Sequence, residues 1–388
     1  MSALFTTPVL ASLITDLEQI VAINTENPSR HELEAARWVE GRMREMGCAT
    51  TLVEVLPERP NAIGVFENGP GPVFAFNTHM DVVPAGEGWS SDPFRLRREG
   101  GMLYGRGSND AKGPLICMLE AIAQMIRGRD SWSGTLMGVF VADEEVGSAG
   151  ARHYVKTAPK IDYCVVGEPT SCTTVAAHKG SMRPIVQVKG KTAHSGTPDL
   201  GINAIIEAAP LYVEVAREHA RIKSRRHPMV GNPSLTITRA NGGHADNVVP
   251  DLIEVMLDRR MIPGEDEDVV KGEIVELVAR AAAASGAEME IVDYRPTTGG
   301  PTETALDHLT VAAAQRACLK YHGHETPITG FQGGCDLVHF RQAGTHGVVL
   351  GPGDLAVAHK PDEFVPQAEL VLAVQIYRDI AFDLLKTG

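Results

Sequence analysis

The 388-residue sequence lacks the features of a disulfide-stabilised secreted protein and those of a membrane-spanning protein. Its six cysteines are scattered without a C-x-x-C pair, a distribution that favours reduced thiols in the cytosol. No segment approaches the roughly 20 uninterrupted apolar residues that a membrane helix requires. Residues 1–23 contain no lysine or arginine, so they do not resemble a signal peptide. These absences predict a cytoplasmic protein that does not engage a membrane.

An excess of basic charge is also missing. The formal net charge of −13 argues against nucleic-acid binding, because a phosphate backbone requires clustered lysine and arginine. Hydrophobic residues make up 43% of the chain and charged residues 22%, as in ordinary globular proteins. A chain of this length exceeds what one hydrophobic core usually organises, so we expect two domains.

Short apolar runs in the outer parts of the chain predict buried strands. They are rich in Val, Phe, Leu and Ile and lack clean alternation, which is typical of strands covered on both faces in an α/β sheet. Helical patterns lie between and beside them. The runs are Val73–Asn77, Leu136–Ala142, Tyr163–Gly167 and Gly347–Leu350, and the helical patterns are Glu32–Met46, Ala111–Arg127 and Thr304–His322.

The middle of the chain has a different pattern. Its strand-like segments alternate polar and apolar residues, as in an antiparallel sheet with one solvated face. The segments are Arg183–Lys189, Ser234–Arg239, Leu252–Arg260 and Met289–Tyr294, with helical patterns at Ile202–Ala220 and Val269–Ala284. The order β-α-β-β-α-β describes a ferredoxin-like α+β domain. We therefore predict that residues 181–294 form a domain inserted into an α/β domain made of residues 1–180 and 295–388.

Acidic residues and histidines follow each of the buried runs. They are His79 and Asp81 after the first run, Glu144 and Glu145 after the second, Glu168 after the third and His359 beyond the fourth, with Asp110 just before the apolar helix. In open α/β sheets, ligands bind outside the carboxyl ends of the strands. These side chains are therefore expected to converge at one edge of the sheet.

A metal site explains such a convergence. Crowded carboxylates cannot all ionise unless a cation compensates them. Imidazole and carboxylate ligands without thiolates suit Zn²⁺ or a similar divalent metal. Each piece alone has a simpler explanation, since a His-x-Asp segment can be a capped turn and paired glutamates are usually solvated. Their recurrence at matching positions favours the metal site.

Four segments resemble the M20 metallopeptidase family, which includes acetylornithine deacetylase, succinyl-diaminopimelate desuccinylase, aminoacylase-1 and glutamate carboxypeptidase. The segments are Asn77–Pro84, Gly105–Gly113, Asp143–Gly147 and Gly167–Thr170. The resemblance covers essentially the whole chain. It implies a zinc-peptidase-like catalytic domain with a mixed sheet and an inserted lid and dimerisation domain.

The resemblance also implies two zinc ions bridged by Asp110. His79 and Glu168 would complete the ligands of one ion, and Glu145 and His359 those of the other. Oxygen and imidazole ligands serve Co²⁺ and Mn²⁺ as well, so these metals are alternatives.

Two further residues would support the metal chemistry. The resemblance implies that Asp81 orients His79, a role that metal-bound imidazoles commonly require. Glu144 would act as the general base on a water acidified by the metal and then pass the proton to the leaving nitrogen. The expected reaction is metal-assisted amide hydrolysis.

The inserted domain would contribute substrate contacts. The resemblance implies that His194 donates a hydrogen bond to the transition-state oxyanion, from the neighbouring subunit of a homodimer. Asn247 would contact the substrate, and the guanidinium of Arg260 would pair with its carboxylate. Gly333 and Gly334 would form a backbone contact loop for the substrate.

The sequence leaves the substrate open. Gly167–Ser171 and Ala177–Gly180 resemble acetylornithine deacetylase, whereas Gly333–Asp336 is closer to the desuccinylase pattern with one residue missing. We expect deacylation of a small N-acyl amino acid, with N-acetylornithine as the leading candidate. A desuccinylase and a carboxypeptidase acting on a dipeptide-like amide are alternatives. A non-catalytic, ligand-binding relative is disfavoured because every expected ligand and the base are present.

Overall fold

A computed structural model describes residues 8–386. The chain divides into two compact units. The first contains the residues up to Ala177, Glu303–Gly330 and the segment from Cys335 onward, and the second contains His178–Thr302 and Phe331–Gly334.

The helices and strands are numbered here in chain order. They are α1 (Pro8–Ala22), α2 (Leu33–Glu45), β1 (Ala49–Leu56), β2 (Arg59–Asn68), β3 (Val73–His79), β4 (Arg97–Glu99), β5 (Met102–Tyr104), α3 (Lys112–Arg127), β6 (Gly134–Val141), α4 (Ala149–Thr157), β7 (Tyr163–Val166), β8 (Val175–His178), β9 (Gly180–Lys189), α5 (Ala204–Glu207), α6 (Ala209–Ile222), β10 (Ser234–Gly242), β11 (Leu252–Met261), α7 (Glu267–Ala283), β12 (Glu288–Arg295), β13 (Thr302–Glu303), α8 (Leu309–His322), β14 (Thr329–Phe331), α9 (Leu337–Gln342), β15 (His346–Val349), β16 (Phe364–Pro366) and α10 (Gln367–Leu385).

A large mixed sheet organises the first unit. Its strand order is β1-β2-β6-β3-β7-β15-β8-β13, with β14 paired to β8. The four strands predicted from apolar runs are the neighbours β6, β3, β7 and β15 at its centre, and they run parallel to one another. Their carboxyl ends therefore meet at one edge of the sheet. The predicted α/β class with a mixed sheet is confirmed.

Helices cover this sheet because its central strands are apolar on both faces. The helix α3 is buried on nearly all sides, as its sequence predicts, and packs against α1, α10 and the strands β3 and β6. A separate three-stranded antiparallel sheet, in the order β16-β5-β4, lies beside the loop that leads into α3. Within residues 8–386, no helix has both the length and the apolar character needed to cross a membrane.

The second unit contains a four-stranded antiparallel sheet in the order β10-β11-β9-β12. The helices α6 and α7 pack against one another and against this sheet, and the buried side chains of these elements form a separate hydrophobic core. The predicted order β-α-β-β-α-β is confirmed. The single helix predicted over Ile202–Ala220 is instead two helices, α5 and α6, with Pro210 in the first turn of α6. Proline lacks the amide donor and clashes with the preceding turn, which accounts for the break.

Candidate metal centre

The strand ends bring the predicted metal ligands and the predicted general base together. The residues concerned are His79, which ends β3, Glu144 and Glu145 after β6, Glu168 after β7, His359 in the loop after β15, and Asp110 just ahead of α3. All six belong to the first unit. Parallel strands place their carboxyl ends on the same side, so residues far apart in sequence become neighbours here.

Asp110 lies between two imidazoles. Its Oδ1 is 3.1 Å from Nε2 of His79, and its Oδ2 is 3.2 Å from Nε2 of His359. Asp110 is buried, whereas the side chain of His359 is 51% exposed. The two oxygens of one carboxylate thus address two separate histidines, which is the arrangement required of a bridging ligand.

Two glutamates complete these groupings. The Oε2 of Glu145 is 3.2 Å from Nε2 of His359, and the Oε1 of Glu168 is 3.9 Å from Nε2 of His79. Ligand atoms of His79, Asp110 and Glu145 all lie within 4.8 Å of one another. The other oxygen of Glu145, Oε1, is buried and makes no hydrogen bond.

The carboxylates perturb one another strongly. Burial raises the pKa of Glu144, and the nearby charge of Glu168 raises this pKa further. Burial and Asp110 raise the pKa of Glu168 in the same way. Burial opposes ionisation of Asp110 too, but hydrogen bonds from His359 and His79 hold the pKa of this carboxyl below its usual value. The charge is therefore concentrated on the carboxylate between the two imidazoles.

The imidazoles respond in the opposite direction. Hydrogen bonds to Asp110 and Glu145 raise the pKa of His359 to about 11. Burial alone would lower the pKa of His79, but its hydrogen bonds to Asp110 and Asp81 raise it instead. In the absence of another cation, protonated imidazole is the only positive group in direct contact with these carboxylates among the described ion pairs.

Asp81 is the centre of a buried hydrogen-bond network behind His79. The Nδ1 of His79 is 2.9 Å from the backbone oxygen of Asp81 and 3.5 Å from its Oδ1. The carboxylate of Asp81 accepts hydrogen bonds from the backbone amides of Glu144 and Glu145, at 3.1 and 3.2 Å. Asp81 therefore holds the turn that bears these glutamates as well as facing His79.

Asn27 joins two carboxylates in this network. Its Nδ2 donates to Oδ2 of Asp81 and to Oδ1 of Asp143, both at 2.9 Å. Asp143 has a positive φ of 65°, a conformation that non-glycine residues seldom adopt. Its backbone amide donates to Glu32, which in turn pairs with Arg59 at 2.7 Å. A buried ion pair thus supports the turn that follows β6.

Several of these supporting residues were not predicted from the sequence. Asn27, Glu32, Arg59, Asp336 and Glu363 are buried polar residues around the site. The segment Gly105–Gly113 drew attention to Arg106 without giving it a role. Asp336 ends the segment Gly333–Asp336, which resembles the desuccinylase pattern but gave Asp336 no role, and burial raises the pKa of its carboxyl to about 6. Their partners lie far away in the sequence, so no local signal indicates them.

The other predicted site residues lie in the second unit. His194 and Asn247 are exposed and adjacent, since Val248 forms a bridge with His194 and the amide of Ser195 donates to the backbone oxygen of Asn247 at 2.9 Å. Arg260 lies on β11 and donates to Asp258 at 2.7 Å. Gly333 and Gly334 are half-buried in the short segment after β14.

The residues of the first unit fit divalent metal ions. Their donors are imidazole nitrogens and carboxylate oxygens, the types that zinc binds. Ligand atoms about 2.0–2.1 Å from a tetrahedral zinc ion lie roughly 3.3–3.4 Å apart, close to the observed 3.1–3.2 Å separations. The unpartnered Oε1 of Glu145 is a buried acceptor that needs a positive partner.

Comparison with known proteins places this chain in a family. Residues 75–383 match Peptidase family M20/M25/M40. The chain belongs to this family, so the resemblance predicted from its motifs is confirmed. Family membership also supports the predicted class of enzyme, an amide hydrolase.

Individual relatives carry two different names. Acetylornithine deacetylase of Vibrio campbellii is 31% identical over 83% of this chain and 84% of its own length. A protein of Staphylococcus epidermidis named probable succinyl-diaminopimelate desuccinylase is 29% identical over 94% of this chain and 95% of its own. An M20 family metallo-carboxypeptidase from Sulfolobus solfataricus has the same fold, with a TM-score of 0.81 at 17% identity over 96% of this chain and 98% of that one.

Proposed function

We propose that this protein is a two-metal hydrolase that cleaves the amide bond of a small N-acyl amino acid. The position of Asp110 between His79 and His359 is the observation that supports this proposal most directly. One carboxylate shared between two imidazoles, each with a glutamate beside it, provides ligands for two ions. Zinc suits these ligands, and Co²⁺ and Mn²⁺ are the alternatives.

The proposed ligand sets share Asp110. His79 and Glu168 would hold one ion with it, and Glu145 and His359 the other. When bound, such ions polarise a carbonyl oxygen and lower the pKa of water to about 7.

Glu144 is the proposed general base. It is buried beside the ligand turn, and its backbone amide is fixed by Asp81 at 3.1 Å. It is not one of the proposed ligands, so its carboxylate would be available to take the proton of the attacking water. The same group then gives this proton to the leaving nitrogen, acting as base and acid in turn.

Asp81 is proposed to do more than orient His79. Its side chain accepts two backbone amides of the turn and one amide hydrogen of Asn27. These contacts fix the base and one ligand relative to His79. Residues that orient metal ligands in this way typically affect metal affinity or activity ten- to a hundredfold.

His194 is proposed to stabilise the oxyanion. Its Nδ1 accepts a hydrogen bond from the amide of Gly196 at 3.0 Å, so the neutral ring carries its proton on Nε2. That proton is available to a developing negative charge because the side chain is exposed. Arg260 is the proposed partner of the substrate carboxylate, with Asn247, Gly333 and Gly334 as further substrate contacts.

We further propose that the second unit, near the predicted segment 181–294, acts as a lid and forms a homodimer. Large apolar side chains are exposed near His194, which supports an interface on this side of the unit. They are Leu200, Ile202, Ile205 and Ile206. In the dimer His194 would serve the site of the partner. A cytoplasmic location stays a prediction, and it agrees with the six cysteines being free and buried.

N-Acetylornithine is the leading substrate, and an N-succinyl amino acid is the second candidate. Relatives of both kinds match this chain at nearly equal identity. The first choice follows from the segments after β7 and β8, and the second from the segment Gly333–Asp336.

An assay of the purified protein tests the function. Zinc-reconstituted enzyme is given N-acetyl, N-succinyl and dipeptide substrates, with a chelator-treated sample as control. We expect chelator-sensitive hydrolysis of N-acetylornithine. Hydrolysis that chelation leaves intact, or a protein that binds no zinc, would contradict the metal mechanism, whereas preference for another acyl group would correct the substrate alone.

Light scattering together with His194→Ala tests the dimer. We expect a dimer whose variant keeps its zinc and its KM but loses a hundredfold or more in kcat, as for removal of an oxyanion donor. A fully active monomer would exclude the role across the subunit interface.

A further inference from the structure

The loop bearing Asp110 and the loop bearing His359 are tied together at two points. The side-chain amide of Asn109 donates to the backbone oxygen of Asp354 at 3.1 Å. Beyond His359, the backbone oxygen of Glu363 accepts the amide of Gly105 at 2.9 Å. The segment with His359 is thus fastened on either side of the histidine, although the histidine itself is half exposed.

The side chain of Glu363 contacts the backbone at Asp110. Its Oε1 accepts hydrogen bonds from the backbone amides of Asn109 and Asp110, both at 3.0 Å. Glu363 is 1% exposed. Two amides converging on one buried oxygen fix the position of the backbone from which the Asp110 carboxylate projects.

Arg106 neutralises this buried carboxylate. It forms an ion pair with Oε2 of Glu363, and both side chains are 1% exposed. Its Nη2 also donates to the backbone oxygen of Ala85, and its guanidinium lies 5.1 Å from the ring centroid of Trp89. The pair is therefore surrounded by partners on all of its polar sides except the Arg106 Nε, which is buried and unpartnered.

The ion pair between Arg106 and Glu363 joins the loop that bears Asp110 to the loop that bears His359. Strand β16 begins at the residue after Glu363 and pairs with β5, which leads into the Asp110 loop. A carboxylate at this point contacts one ligand-bearing loop while belonging to the other.

We infer that Glu363 is a positioning residue that sets the distance between Asp110 and His359. Arg106 compensates the charge of the Glu363 carboxylate. The inference rests on the proposed function, since it concerns ligands of the proposed metal ions. Loss of the Glu363 carboxylate lets the two loops move apart, and the pair of ligands no longer fits both ions together.

The test measures zinc affinity of the full-length protein by competition with a chelating indicator. In Glu363→Gln we expect zinc affinity to fall ten- to a hundredfold, with an altered visible spectrum when Co²⁺ replaces zinc. With the substrate found in the assay above, kcat should fall while KM changes less than twofold. Glu363→Ala should show the larger effect, and Glu363→Gln decides the matter if the alanine variant does not fold.

Glu265→Gln is the matched control. Glu265 is also a buried acid, and it pairs with Arg259 at 2.6 Å and accepts the amide of Ile262 at 3.0 Å. It lies in the second unit, away from the proposed ligands in sequence. We expect this variant to lose stability but to keep wild-type zinc affinity.

Three outcomes would overturn the inference in distinguishable ways. Wild-type affinity and an unchanged cobalt spectrum in Glu363→Gln would show that the carboxylate is only structural. Equal loss of zinc affinity in both variants would attribute the effect to general destabilisation. A wild-type protein that binds no zinc would remove the proposed function itself.

Discussion

Acidic side chains are buried in both units, but those of the proposed metal site have different partners from those of the second unit. In the first unit Asp110, Glu145 and Glu168 are paired with imidazoles. In the second unit acids are matched with guanidinium groups. Glu265 contacts Arg225 and Arg259, Asp258 contacts Arg183 and Arg260, and Glu214 contacts Arg217 and Arg280.

The difference shows which of these buried acids already have positively charged partners within the protein. A buried charge costs several kcal/mol unless a partner compensates it. The acids of the second unit have their partners within the same unit. At the proposed metal site, burial and the charges of neighbouring carboxylates raise the pKa of Glu144 and Glu168. The acids around Asp110 are therefore suited to bind a cation, whereas the acids of the second unit stabilise the fold of that unit.

Glu144→Gln should give the largest effect on activity. The substitution keeps the shape of the side chain but removes the group that takes up a proton, so turnover is expected to fall by about 10²–10⁴-fold. Zinc content should be unchanged because Glu144 is not a proposed ligand. Steady-state kinetics and metal analysis of the same sample measure both quantities, and full residual activity would exclude Glu144 as the base.

Glu265→Ala should give the largest effect on stability. Arg259, which is 1% exposed, would lose the carboxylate that it contacts at 2.6 Å. Breaking a buried pair by removing one partner typically lowers the free energy of unfolding by about 3–5 kcal/mol. Urea denaturation measures this loss. A change below about 1 kcal/mol would mean that the ion pairs of the second unit contribute little to its stability.

His178 represents a third way to bury a titratable group, which is to keep it neutral. It ends β8, it is fully buried, and its Nε2 has no hydrogen-bond partner. Burial lowers its pKa to about 4 from the ordinary 6.5. Because the folded pKa lies below the unfolded one, the unfolded chain binds the proton more readily between these values, and stability is lost as the pH falls through this range.

The contribution of His178 can be measured by denaturation at two pH values. When the pH falls from 7.5 to 5, proton uptake by His178 in the unfolded chain should lower the free energy of unfolding by roughly 2 kcal/mol. The variant His178→Asn cannot take up this proton, so its stability should fall less over the same interval. Parallel pH profiles of the two proteins would show that His178 does not account for the loss.

The sequence predicted the central fold well because strands and helices leave local patterns. The run Val73–Asn77 became β3, and the pattern Glu32–Met46 became α2, with ends shifted by one or two residues. The edge strand β1, its neighbour β2 and the helix α10 were not predicted. Their ordinary amphipathic composition gives no feature that distinguishes them without knowledge of the tertiary contacts.

The proposed ligands were found for the same reason, since each follows a strand or precedes a helix with a marked pattern. Their supporting residues were not. Asn27 contacts Asp81 and Asp143 across separations of 54 and 116 residues, and Glu363 contacts Asp110 across 253. Nothing in the local sequence of Asn27 or Glu363 encodes these partners. Such contacts follow only from the folded arrangement of the loops.

The sharpest test of the contrast between the units is Glu168→Gln, measured with and without zinc. In chelated protein the variant removes a buried carboxyl whose ionisation is opposed by burial and by Asp110, so its free energy of unfolding should rise, by about 1 kcal/mol at most. With saturating zinc the sign should reverse, because a proposed ligand is lost and each tenfold fall in affinity removes about 1.4 kcal/mol. Glu265→Gln should destabilise the protein under both conditions. A single sign for Glu168→Gln in both would mean that this acid, like those of the second unit, already has its partner within the protein.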